Sequence, residues 1–256
     1  APFTTDLTNL DYFNKLISSK KLNPLKPYLC FSPVKYISKT KLSCQHNAKE
    51  AIRCNEEIWN NNQHLANQNN RFVAVLVDKG GANVNAGILY IDSKDNDEVF
   101  MHELLHLLGF IDEYALPKRH FRCLTAQNAM FSHNIAILPR FYQGSKASVR
   151  EKILKSLPWA KYISNQTPIV HHSLQGWKLG TKEMSGTRAN RVGVFIAKTC
   201  SDKNFVAVQP LNQRTSLRNF ENNLPALYLQ LLKDSPEKFL MPNYKKNVLK
   251  ALQIKK

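Results

Sequence analysis

Residues 102 to 114 read HELLHLLGFIDEY and set His102, Glu103, His106, Gly109, Asp112 and Glu113 at fixed intervals in an otherwise apolar stretch. On a helix each residue turns about 100°, so His102 and His106 sit about 40° apart and one turn of rise from each other. Both imidazoles then face one point, which is the geometry for chelating a metal ion. Glu103 lies about 100° round from His102, on the rim of that face, where it reaches a water at the ion without being a ligand itself. Catalytic zinc takes three protein ligands and keeps a fourth position open. Gly109 lets the chain turn sharply after the helix, and Asp112 comes back toward the same point to complete a His, His, Asp set for one zinc ion.

The pattern His-Glu-x-x-His arises by chance in roughly one chain of this composition per hundred, and requiring Gly109 and Asp112 lowers that about a thousandfold. A helix that only fills a core gains nothing from three adjacent ionisable groups that burial penalises. Glu113 is a second candidate for the third ligand, and Glu151, on a later helix, is a third. The pair His171-His172 is better read as a surface loop than as a second metal site, because neighbouring side chains on an extended segment point apart. Cys44, His46 and Cys54 lack the fourth ligand and the spacing of a structural metal site. Candidate donors for an oxyanion are Tyr114, Tyr142 and His133.

These residues need elements to hold them. Asp95, Asn96 or Asp97 can cap a helix running from about Asp97 to Leu108, with Glu98 adding favourable charge in its first turn and Gly109 ending it. Ahead of it, RFVAVLVD (71 to 78) suits a central strand, Lys79-Gly80-Gly81 a turn, and GILYID (87 to 92) a second strand. Apolar residues recurring at helical spacing from Asn47 to about Ala66 predict a further helix. A short strand is expected around Val34 to Ile37. Beyond Phe110 the pattern is irregular, punctuated by Pro117, Pro139, Pro158 and Pro168. Helices are expected at Lys146 to Leu157 and Leu224 to Leu232, and VGVFIA (192 to 197) pairs with NFVAVQ (204 to 209). The fold class is therefore α/β (α+β). Residues 1–109 form a small mixed sheet with the metal helix at their end, and residues 110–256 form a mostly irregular second part.

The chain has 256 residues, 43% of them hydrophobic, with no apolar run long enough to span a membrane. Thirty-six Lys and Arg against nineteen Asp and Glu leave a formal charge of +17, spread along the chain. Such a surface attracts polyanions and acidic partners, yet no nucleic-acid-binding motif accompanies it, so nucleic acid is not the expected partner. Five cysteines leave at least one thiol without a partner in the chain. Two disulfides would fit an exported protein, so a secreted or periplasmic location is expected. The N-terminus has no apolar leader and no starting methionine, which leaves open whether a leader was removed.

HELLHLLGFID resembles the extended motif of metzincin metallopeptidases, His-Glu-x-x-His-x-x-Gly-x-x-His, with Asp112 at the third histidine. An aspartate there is similar to the snapalysin-type pattern, and Asp112-Glu113-Tyr114 resembles the DEY of IgA-peptidase-like bacterial enzymes, in which the spacing after the second histidine is a residue longer. The resemblance covers residues 71 to 130. It implies a metzincin-like fold, Asp112 rather than Glu113 as third ligand, and a methionine turn in QNAM (127 to 130) with Met130 beneath the metal. It further implies a cleft-edge strand, GILYID or the Gly81 to Ala86 segment, that holds substrate as an added strand. The implied activity is that of a monomeric zinc endopeptidase acting on a protein or peptide substrate, an acidic one being in keeping with the charge. Zinc acidifies its water and polarises the carbonyl, while Glu103 takes the water's proton and later delivers one to the departing amine. The alternative is a retired member that keeps the fold to bind acidic partners, which has no physical need for Glu103.

Overall fold

Val73–Val77 is buried at every position, as a β-branched run is when both faces of its sheet are covered. The computed structural model describes residues 1–45, 50–61, 70–116, 132–182, 192–201 and 204–244. Contacts group Ala1–Leu108 with the segment from Leu240 as one unit, and Gly109–Phe239 as another.

The first unit is built on a five-stranded sheet. Its strands are β1 (Pro2–Thr4), β2 (Lys35–Tyr36), β3 (Val73–Val77), β4 (Asn83–Asn85) and β5 (Ile88–Asp92), in the order β2-β1-β3-β5-β4. All neighbours are parallel except β4, which runs antiparallel to β5 at the edge. The helices are α1 (Leu10–Ser18), α2 (Lys39–Leu42), α3 (Ile58–Asn61) and α4 (Asp97–Leu107). Phe3, Trp59, Val75 and Tyr90 meet in one core cluster, with the Phe3 and Trp59 ring centroids 5.1 Å apart. The expected strands at 71–78 and 87–92 are present, but β5 lies inside the sheet and β4 is the edge strand on that side.

The helix expected from Asn47 to Ala66 is not what residues 50–57 form. Gln45 pairs with Arg53, Ala51 pairs with Gly81, and a disulfide joins Cys44 to Cys54; only Ile58–Asn61 is helical. Short apolar periodicity is compatible with either state, and here the cross-link and the bridges select an extended path that buries Ile52 against Gly80. The remaining positions of that expected helix lie outside the described residues.

The second unit is more regular than expected. Strands β6 (Ala136–Pro139), β10 (Phe195–Ile196) and β11 (Phe205–Gln209) form one antiparallel sheet. A second antiparallel sheet comprises β7 (Phe141–Tyr142), β8 (Val170–Ser173) and β9 (Gly176–Leu179). Helices α5 (Lys146–Leu154) and α6 (Ala226–Asp234) lie where helices were expected. Strands this short carry too few alternations for a sequence pattern, and Pro139 inside β6 masks the signal further. Ile111, Ile135, Ile137, Ala197 and Ala207 make its core cluster. The protein is thus mixed α/β with a small mixed sheet, and no helix among the described residues is long and apolar enough to cross a membrane.

Candidate metal centre

The helix α4 begins where its sequence says it should. Asn96 caps it, its Oδ1 accepting from the backbone N–H groups of Glu98 and Val99 at 3.2 and 3.1 Å. Neighbouring segments tether that first turn: Tyr12 donates to the Asp95 carbonyl, Ser19 to Asp97, and Lys21 pairs with Glu98. Phe100 packs edge-on against Phe13, with centroids 5.9 Å apart. At the other end the Leu107 carbonyl accepts from the Met241 N–H at 3.0 Å, and Gly109 turns the chain with φ +91°. A Cβ on Gly109 would sit 2.3 Å from the Phe239 carbonyl oxygen, so both the conformation and the close approach require glycine.

One turn apart on this helix, His102 and His106 bring their Nε2 atoms to 3.0 Å, with the rings nearly perpendicular at 85°. Asp112 joins them: one ligand atom from each of the three residues lies within 4.8 Å of the others. All are buried, His102 2%, His106 6% and Asp112 6% exposed, and Glu103 beside them is 5% exposed. This donor set fits a metal ion. Two zinc–nitrogen bonds of about 2.0–2.1 Å at a tetrahedral angle span about 3.3–3.4 Å, so the imidazoles need part by only a few tenths of an ångström.

No protein-family model matches the chain, and no curated protein matches it.

The segment after Gly109 is held by side chains from far along the sequence. Asn134 clamps Ile111, its Oδ1 accepting from the Ile111 N–H at 3.0 Å and its Nδ2 donating to the Ile111 carbonyl at 2.8 Å. The same amide donates to Glu113 Oε1 at 3.1 Å. Thr215 donates to Glu113 Oε2 at 2.7 Å, Tyr228 donates to Oε1, and the Glu113 N–H reaches the Leu217 carbonyl at 3.0 Å. Glu113 is 1% exposed with both oxygens engaged, and its pKa is raised, chiefly by burial, against the pull of these donors. It is thereby a tie that fixes the residue next to Asp112. Asn134, Thr215 and Tyr228 left no mark in the sequence, since nothing local announces a partner about 20 to 115 residues away.

The other candidates have surroundings of their own. Glu151 sits on the surface of α5, paired with Lys155 at 2.6 Å. His171 and His172 are in the strand β8 rather than a loop, and His172 packs edge-on against Trp177. Cys44 and Cys54 are spent in a disulfide, Cys200 is disulfide-bonded as well, and Cys30 is an exposed free thiol. Among the oxyanion candidates, Tyr114 is 39% exposed. Tyr142 lies in β7 with the Lys152 ammonium 5.8 Å from its ring centre, and burial raises its pKa. His133 is enclosed by Phe110 and Phe239, at 5.0 and 4.9 Å between centroids, and lines a cavity of about 180 Å³ with Lys161, Asp234 and Lys238. Burial and, after it, the Lys238 ammonium push the His133 pKa down to about 4. Met130, Cys123 and His46 lie outside the described residues.

Proposed function

We propose that this chain is a zinc-dependent endopeptidase of metzincin type. The observation that carries the reading is the buried convergence of His102, His106 and Asp112, with Glu103 on the same helix turn as the histidines. In support, β4 is an antiparallel edge strand among the described residues, in the chain segment just before the proposed metal helix, where a peptide would add as a further strand.

His102, His106 and Asp112 would hold the ion, two neutral imidazoles and one carboxylate leaving a position for water and substrate. When bound, zinc supplies a Lewis acid and acidifies water at its open position. Glu103 accepts a proton from the water as its oxygen bonds to the peptide carbonyl carbon. The carbon–nitrogen bond then breaks, and Glu103 returns a proton to the departing amine. Burial of the site on α4 limits competing solvent and strengthens each of these charge interactions. We place the protein outside the reducing cytosol, a location supported by the Cys44–Cys54 disulfide and the bonded state of Cys200.

The test pairs metal content with proteolysis. Purified protein should carry about one zinc per chain and cleave casein, while Glu103→Ala should keep the metal and lose at least about a hundredfold in rate. An alanine variant that cleaves as fast as the parent removes Glu103 from the mechanism. A protein that binds no zinc removes the reading altogether.

A further inference from the structure

The cavity of about 180 Å³ beside His133 lies within the second unit and takes no part in the metal chemistry. Much of its lining comes from the end of α6 and the turn after it, where Leu231 and Asp234 are followed by Lys238 and Phe239. The imidazole of His133 belongs to the same lining, 1% exposed and packed edge-on against the Phe239 ring. Its Nε2 is buried and has no hydrogen-bond partner among the described residues. A polar atom enclosed in this way has given up water without a replacement, which a fold carries at a cost unless something else fills the role.

The charged groups of the lining differ in what already holds them. Asp234 is satisfied: Lys161 pairs with its Oδ2 at 2.8 Å, Tyr162 donates to the same oxygen, and Gln230 donates to Oδ1 at 3.0 Å. A ligand therefore meets the Lys238 ammonium rather than that carboxylate. Lys238 stands 5.2 Å from the centre of the Phe239 ring, the ring that also packs on His133, so cation and imidazole share one aromatic platform. The imidazole feels this neighbour: burial and, after it, Lys238 lower its pKa, which keeps the ring neutral at pH 7 with one N–H to give. An ammonium and a neutral N–H on one platform suit the two oxygens of a single carboxylate. Leu231, 3% exposed, and Phe239 add apolar surface. An apolar cavity of about 150 Å³ takes up benzene, so this one has room for a body of that size.

We propose that this cavity binds a small free carboxylic acid with an aromatic or branched apolar body, its carboxylate held by the Lys238 ammonium and the His133 N–H and its body lodged against Leu231 and Phe239. Neither half of such a ligand suffices alone: the carboxylate supplies the acceptor that the imidazole lacks, and the body takes the place of water against the apolar wall. Nothing in this inference depends on the metal reading.

The experiment titrates the full chain, at constant ionic strength, with sodium benzoate and in parallel with two controls: benzamide, which has the shape without the charge, and acetate, which has the charge without the ring. Calorimetry and the NMR ring resonances of His133 follow binding. Benzoate should bind saturably, at least about tenfold tighter than either control, and should shift the His133 signals. Lys238→Gln should weaken benzoate by about tenfold, while Lys233→Gln, which removes the same charge from an exposed position on α6, should leave it within about twofold. Each titration is repeated in excess chelator, and the affinity should not change, which separates this cavity from the metal centre. Failure of benzoate to bind, benzamide or acetate binding as tightly, shifts that spare His133, equal weakening by the two lysine variants, or binding that vanishes with the metal would each overturn the proposal. The resonance measurement needs no substitution, so it stands even if a lysine variant folds poorly.

Discussion

Replacing Asn134 by alanine should loosen Asp112, the proposed third metal ligand, without touching it. The fully buried Asn134 amide makes three hydrogen bonds, two to the Ile111 backbone at 3.0 and 2.8 Å and one to Glu113 at 3.1 Å. Alanine leaves the Ile111 N–H and carbonyl without that partner in a site closed to water. At about 1 kcal/mol for each neutral bond and about 2 for the one to a carboxylate, the loss is about 4 kcal/mol. For a chain of this length that lowers the melting temperature by roughly 8–16 °C. Since Ile111 and Glu113 flank Asp112, zinc affinity should also fall, by about 10- to 100-fold, as it does when outer-shell partners of a metal site are removed. Calorimetry of the metal-free protein gives the first quantity, and competition with a chromophoric chelator gives the second. A variant that melts lower but holds zinc as tightly as the parent refutes the positioning argument. One that melts at the parent temperature refutes the hydrogen-bond accounting.

Four further outcomes follow from the same geometry. Asp112→Ala should weaken zinc binding by at least about a hundredfold, whereas Glu113→Gln should lower the melting temperature and retain about one zinc per chain; equilibrium dialysis of both variants checks this, and the reverse order would move the third ligand. His133 has its pKa lowered to about 4 from 6.5, so the unfolded chain binds the extra proton first: its contribution is whole above pH 6.5 and is lost as pH falls toward 4. That loss amounts to about 3 kcal/mol, and urea titrations at pH 7 and pH 4.5 should show a smaller drop for His133→Leu than for the parent. Gly109→Ala combines a positive φ with a Cβ 2.3 Å from the Phe239 oxygen, and should cost at least about 3 kcal/mol by denaturant melting. A Gly144→Ala control, with nothing near its Cβ, should cost only the strain of its positive φ, about 1–2 kcal/mol.

What the sequence revealed depended on how local the cause was. Asn96, His102, Glu103, His106, Gly109 and Asp112 fall within seventeen residues, and helix geometry alone brings the histidines together. The unbroken β-branched run at 73 to 77 likewise declares a strand buried on both faces. Residues 50 to 57 depart from the helical spacing because a disulfide and a bridge close a short loop, Cys44–Cys54 and Gln45–Arg53, and a second bridge ties Ala51 to Gly81, thirty residues on. The strands β7 to β9 were missed because two- to four-residue segments joined without Asn-Gly or Asp-Gly turns give no periodic signal. The clamp on Ile111 and Glu113 depends wholly on long-range pairing. The three donors to Glu113 are therefore invisible in the sequence, where it stands simply as a second candidate ligand.

The return of the chain to its first unit after Phe239 bears on how the protein is made. Tyr244 belongs to the same core cluster as β1, β3 and β5, and Arg71 donates to the carbonyl of Met241 at 3.1 Å. Gly87 faces this strap so closely that a methyl there would meet the Pro242 oxygen at 2.6 Å. During synthesis the β-sheet emerges from the ribosome early, yet it waits for some 150 further residues before Tyr244 arrives, about ten seconds or more at usual elongation rates. Throughout that interval its hydrophobic interior lacks one wall, so a nascent chain stalled before residue 240 should be a preferred client of chaperones.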